Sequence, residues 1–116
     1  MTFDDVRKIA QAFPGVTEYL IFGNPTLKVG KRYLAGIPKI DHNLLCIKVP
    51  DQREREYLLA TKPDVYYLTD HYVSSEALLV RMFKADPEEV RDLFEQAWRT
   101  YAPKKLVAAY APKDDS

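Results

Sequence analysis

Four β-type runs crowd into residues 18–49, and the links between them decide most of what this chain can become. The runs are EYLIF (18–22), TLKV (26–29), RYLAGI (32–37) and LLCIKV (44–49). Gly23-Asn24-Pro25 separates the first two, Gly30-Lys31 the next two, and a segment containing Asp41-His42-Asn43 the last two. A parallel crossover needs about a dozen residues or more, so strands joined by such short links pair antiparallel. Gly30-Lys31 suits a two-residue hairpin turn with glycine first, and Asp-His-Asn is turn chemistry.

Helical patterns flank this meander. Phe3, Val6, Ile9, Ala10 and Phe13 recur at helical spacing over 2–13, where Thr2 and Asp5 form a capping pair and Pro14-Gly15 a stop. A short helix follows Asp51, capped with Glu54, and ends at Lys62-Pro63. VYYLT (65–69) and ALLVRM (77–82) read as two more strands joined by the polar loop DHYVSSE. Asp86, Pro87 and Glu89 then open the clearest helix, with Val90, Leu93, Phe94, Ala97, Trp98 and Tyr101 on one stripe. LVAAY extends as a short terminal helix, and residues 111–116 are expected to fray. Segregated runs of this kind predict an α+β fold of one domain over 1–110, with an antiparallel sheet of about five strands carrying its helices on one face. The other face is then free to meet solvent.

Composition narrows the function classes. Among 116 residues, 47% are hydrophobic and 29% charged, ordinary for a folded domain. Seventeen basic side chains balance seventeen acidic ones, which excludes bulk positive charge as a means of holding nucleic acid. Cys46 is the sole cysteine and lies in an apolar run, so a buried structural thiol is expected. The acidic start MTFDDVRKIA lacks the pattern of a secretory signal, and no apolar run reaches the roughly 20 residues of a membrane span. A cytoplasmic location is the expectation.

Catalytic and metal chemistry find little support. His42 and His71 have no companions at ligand spacing, so no metal or other cofactor is expected. Ser74-Ser75 lies near His71 and Glu76 but without a nucleophile elbow. The four glycines form no phosphate-cradling motif. Acidic pairs in DDV, REREY and DPEEV sit in first turns, where they oppose the helix dipole. The chain therefore reads as a binding protein, not an enzyme.

Two surfaces remain as candidates. Pairing the strands about Gly30-Lys31 sets Lys28 opposite Tyr33 and Leu27 opposite Leu34. Alternation then puts Leu27, Val29 and Leu34 on the core side, and Lys28, Tyr33, Ala35 and Ile37 on the other. The segment 17–50 carries five cations, Lys28, Lys31, Arg32, Lys39 and Lys48, against Glu18 and Asp41. Lys28, Lys31, Arg32, Tyr33 and Lys48 form a candidate nucleic-acid grip, cations for phosphates and a ring for stacking. The same residues also suit the solvated side of a sheet, where lysine discourages edge aggregation. The alternative is a cleft at the Asp70-His71-Tyr72 loop, where His71, Tyr72 and Arg81 would meet a small anionic ligand or a protein partner.

Taken in order, FPGV (13–16), FGNPTLKVGKRYLAGI (22–37), LLCIKVP (44–50), DVYYLTDHY (64–72), LLVRM (78–82) and DPEEVRDLFEQAWRTYAPKKL (86–106), with the closing VAAY, resemble the MmcQ/YjbR family of small bacterial proteins. The resemblance spans about residues 1–110. It implies a CyaY-like two-layer α+β sandwich and, from the family's usual label, weak binding of double-stranded DNA through hairpins. It supplies no catalytic residues. Ala77 stands where some relatives carry a tryptophan, and no acidic iron-binding ridge is evident.

Overall fold

The computed structural model describes residues 1–110; the expected fray over 111–116 lies outside the described residues. The chain runs α1 (Phe3–Ala10), β1 (Val16–Ile21), β2 (Asn24–Val29), β3 (Arg32–Gly36), β4 (Leu44–Lys48), α2 (Gln52–Thr61), β5 (Tyr66–Tyr67), β6 (Ala77–Arg81), α3 (Pro87–Tyr101) and α4 (Lys104–Ala109). Short 3-10 turns at Asp70–Tyr72 and Met82–Lys84 flank β6. Six strands form one sheet in the order β1-β2-β3-β4-β6-β5, every neighbouring pair antiparallel. The expected α+β class holds, with six strands where about five are expected, and VYYLT contributes only the two-residue β5.

Helix ends follow their caps. The Thr2 amide donates to the Asp5 carboxylate at 2.8 Å, which holds that carboxyl below its ordinary value. The α1 helix nonetheless stops at Ala10, short of the Phe13 expected from periodicity. Asp51 accepts from the Arg53 and Glu54 amides, and Asp86 from the Glu88 amide. Glu89 does not close a box with Asp86. Its carboxylate instead accepts from the Lys62 ammonium and the Tyr66 hydroxyl, tying α3 to the end of α2 and to β5.

The main core lies between the sheet and the α1/α3 layer. Val6 and Ala10 of α1 and Val90, Leu93, Phe94, Ala97 and Trp98 of α3 meet Leu27, Val29, Leu45, Ile47, Leu78 and Val80 of the strands. Both helices sit on one face, as the stripes predict. Trp98 is 0% exposed, and its indole donates to the Pro14 carbonyl at 2.8 Å. Phe13 packs 5.5 Å from Phe94 and 5.4 Å from Trp98, centroid to centroid.

One register differs from simple alternation. Lys28 pairs with Tyr33 and Val29 with Arg32, as a Gly30-Lys31 turn demands, and Gly30 has φ 59° as the first position of that turn requires. Leu27, however, pairs with Ala35, so Leu34 is an extra residue in β3. Such a bulge inverts the alternation beyond it. Ala35 and Ile37 therefore join the core instead of facing out beside Tyr33.

Candidate functional site

Strand alternation directs Lys28 of β2, Tyr33 of β3, Cys46 and Lys48 of β4, and Ala77, Leu79 and Arg81 of β6 to the face away from α1 and α3. This face is not bare. Cys46, Ala77 and Leu79 are buried in a small second cluster beneath Tyr33, Tyr67 and Tyr72. Tyrosine rings thus shelter the centre of the sheet while leaving their edges wet.

A concave surface of about 350 Å³ opens beside this cluster, lined by Tyr33, Cys46, Lys48, His71, Tyr72, Ser75 and Ala77. Tyr33 and Lys48 come from the strand surface that sequence marks for nucleic acid. His71 and Tyr72 come from the loop it marks for a small anion. The fold merges two of the five residues of the first set and two of the three of the second into one cleft. The His71 and Tyr72 rings meet edge-on, centroids 4.9 Å apart and planes at 88°.

Two residues with no apparent chemistry in the sequence build that cleft. Gly36 is the first. A Cβ there would lie 2.8 Å from the Tyr33 hydroxyl and 3.0 Å from the Pro25 carbonyl, so only glycine lets the Tyr33 side chain cross the sheet. The Tyr33 hydroxyl reaches the Cys46 thiol, and burial beside it pushes the phenol far up. Burial likewise raises the Cys46 thiol, partly offset by Tyr33 and Lys48. Cys46 is a buried, protonated thiol, as expected of a structural cysteine.

Arg55 is the second. It is 6% exposed, and its guanidinium donates to the carbonyls of Ala77 at 3.0 Å, Val73 at 2.9 Å, Tyr72 at 3.4 Å, and Ser75. One cation on α2 thus fastens the 70–77 segment that carries His71 and Tyr72. Sequence reading placed REREY among first-turn acids and missed this residue. The available signal was spacing, since Arg55 stands three residues before the inward Leu58 and shares its face. Ser75 completes the loop, donating to the Tyr72 carbonyl and accepting from the Ala77 amide.

Four expected members lie outside the cleft. Arg32 pairs with Val29 and so points to the helix side, its guanidinium 4.1 Å over the Tyr101 ring. Tyr101 in turn donates to Glu76, and burial with that carboxylate pushes its phenol up to about 12. Arg81 shares the open face but pairs with Leu44, at the opposite end of β6 from Ala77. It lies 4.1 Å over the Tyr67 ring and donates to the Pro63 and Asp64 carbonyls, away from the cleft. Lys28 sits 5.2 Å over Tyr19, and Lys31 is exposed at the hairpin tip. Among the described residues, Lys28, Lys31 and Lys48 make no ion pair, whereas Arg7, Arg91 and Arg99 on the helical side each meet a carboxylate. No group of three His, Cys, Asp or Glu residues gathers among the described residues, and no described helix is long and apolar enough to cross a membrane.

A six-stranded antiparallel sheet with helices on one face and a cationic, tyrosine-bearing opposite face defines a small α+β protein with one built surface. The YjbR family profile matches residues 11–100, and the chain belongs to that family. Uncharacterised proteins of Mycobacterium tuberculosis and Mycobacterium bovis are each 29% identical over 122 residues, covering 94% of this chain and 95% of the relative. The crystal structure of Deinococcus radiodurans protein DR2400, a DUF419 domain, superposes with a TM-score of 0.76 at 19% identity, covering 99% of this chain and 94% of that one. That likeness carries the fold.

Proposed function

We propose that this protein binds nucleic acid, duplex DNA in the first instance, weakly and without sequence preference through the open face of its sheet. It acts as a binding protein with no catalytic step of its own. The observation that carries the reading is that Lys28, Lys31 and Lys48 are unpaired among the described residues, with Lys28 and Lys48 on the face that carries Tyr33 and Tyr72 and Lys31 exposed at the adjoining hairpin tip. Unpaired ammonium groups are free to replace counterions on phosphates, and tyrosine edges suit sugars and bases. Among the described residues the longest helix, α3, is ill suited to read a groove, because it carries four acids against two arginines and spends its apolar stripe on the core. Affinity then rests on a few charges and falls steeply with salt.

Anisotropy of labelled duplex and single-stranded oligonucleotides tests this reading. The log–log salt slope should be about −2 to −4, as for a few displaced counterions. Lys28→Ala, Lys31→Ala and Lys48→Ala together should abolish binding at low salt with the circular dichroism spectrum unchanged. Arg32→Ala should leave binding intact, because that side chain faces the helices. A triple variant that binds like the parent would leave the lysines as the solvated side of a sheet.

A second reading draws on the concavity itself. A cleft of about 350 Å³ is sized for one small molecule, and it presents Lys48 and His71 without a carboxylate among its lining side chains. A small phosphate-bearing ligand fits that chemistry. Inorganic phosphate and a mononucleotide, titrated by NMR, should shift His71 and Tyr72 signals, and Ala77→Leu should suppress the shift by filling the cleft. If oligonucleotides bind while neither small probe does, the extended face is the site.

A further inference from the structure

The outer edge of β1 is open. β1 stands first in the sheet order, and among the described residues no strand pairs with its free side. Five of its six residues are exposed, although the strand reads VTEYLI. Tyr19, 47% exposed, lies on the open face beside Lys28, and Leu20, 71% exposed, lies on the helix side. Edge strands ordinarily refuse further pairing by carrying lysine or proline, by a bulge, or by being very short. β1 has none of these protections. Its register with β2 is regular over all six residues, and its one charge, Glu18, is bound through both carboxylate oxygens by Arg7.

The turn after β1 fixes which of its backbone groups face out. Phe22, with φ 52°, and Gly23, with φ 80°, form a two-residue turn between Ile21 and Asn24. In such a hairpin the residues flanking the turn exchange both backbone hydrogen bonds, and every second residue does so from there on. Ile21, Tyr19 and Thr17 therefore spend their amides and carbonyls on β2. Leu20, Glu18 and Val16 turn theirs outward, a row of donors and acceptors that matches the edge of another β-strand.

We propose that this partner is a second copy of the chain, its β1 paired antiparallel with the first about a two-fold axis, so that two six-stranded sheets become one. The strand is self-complementary in one register. A two-fold axis normal to the sheet places only residues of the same face opposite one another. Glu18 opposite the partner's Glu18 would set two carboxylates side by side. Centring on Leu20 pairs only residues 19–21. Centring on Tyr19 pairs residues 17–21, sets Glu18 opposite the partner's Leu20, and opposes no like charges. Leu20 is exposed on the helix side, so no helix covers the strand there. Both open faces lie on the same side of the joined sheet, and the pairing holds whether or not that face binds nucleic acid. So short a ladder is a small interface, for which a dissociation constant of about 10–100 µM is expected.

Sedimentation velocity from about 1 to 300 µM tests the proposal and should show a dimer that grows with concentration. Leu20→Lys, at a position 71% exposed and so safe for folding, should weaken association tenfold or more. Phe83→Lys, equally exposed but outside β1, should leave it unchanged. Under mild oxidation Tyr19→Cys should form a disulfide between the two introduced cysteines, because opposed Cβ atoms lie about 4.5–5.5 Å apart. Thr17→Cys, whose two copies stand well apart in this register, should not. The proposal is overturned if the parent stays monomeric throughout, if folded Leu20→Lys associates like the parent, or if Thr17→Cys cross-links as readily as Tyr19→Cys.

Discussion

Arg55 shows how one residue organises a surface it never reaches. Its guanidinium is planar and permanently charged, so four carbonyls of the 72–77 segment converge on it without a carboxylate partner. Hydrogen bonds to a charged group are worth about 1.5–3 kcal/mol each in the most favourable settings, and stranded buried carbonyls add a penalty. Arg55→Met keeps much of the apolar stem but removes every donor. It should cost about 2–4 kcal/mol in urea unfolding. Amide exchange should accelerate first at Ser75 and Ala77, whose neighbouring carbonyls lose their donor. A uniform rise across the sheet would mean that Arg55 supports the whole fold and not the loop.

At the level of elements, two contacts seat the helices. Trp98 anchors α3, and Trp98→Ala should cost about 3–5 kcal/mol as a large cavity opens beside Phe13 and Phe94. Trp98→Phe should cost less, because it removes the bond to the Pro14 carbonyl and part of the ring only. The α1 helix is tied to the edge strand β1 by Arg7, whose guanidinium meets both oxygens of Glu18, at 2.6 and 2.9 Å. That hydrogen bonding, with the charge of Arg7, holds the Glu18 carboxyl below its ordinary 4.5 despite partial burial. A depressed folded value means the contribution is present above the unfolded value of about 4.3 and is lost as pH falls through the folded one. Both partners are about a third exposed, so the pair is worth at most about 1 kcal/mol. Glu18→Gln should lower stability by that order at pH 7 and flatten the acid limb of the thermal-melt profile.

Over the whole molecule, the sheet divides two unequal cores. The larger one lies under α1 and α3; the smaller is the Cys46, Ala77 and Leu79 cluster on the other face. Cys46 is a natural reporter for the second, as the only thiol in the chain. A buried thiol, with its ionisation pushed up, reacts only when the covering tyrosines and the 70–77 segment open. Alkylation by iodoacetamide should therefore be at least about a hundredfold slower in the native protein than in urea. It should speed up in Arg55→Met. Native labelling at the unfolded rate would place Cys46 outside any packed cluster.

Much of this architecture is local and therefore legible in one dimension. Hairpin turns, caps, the α3 stripe and the identity of the core strands each depend on residues within a few positions of one another. The antiparallel β1–β4 meander follows because short links leave no alternative. Fold class, helices on one face and the buried Cys46 and Trp98 all belong to this part. The site does not. The bulge at Leu34 swaps the faces of Ala35 and Ile37, and the hairpin register turns Arg32 toward Tyr101. Lys48 and His71 line one cleft although 22 residues separate them, because β4 pairs with β6 and Arg55 folds the intervening loop back over that edge. Local chemistry determines elements through short-range sterics and hydrogen bonds. Which elements share a surface depends on long-range packing, and only the tertiary structure decides that.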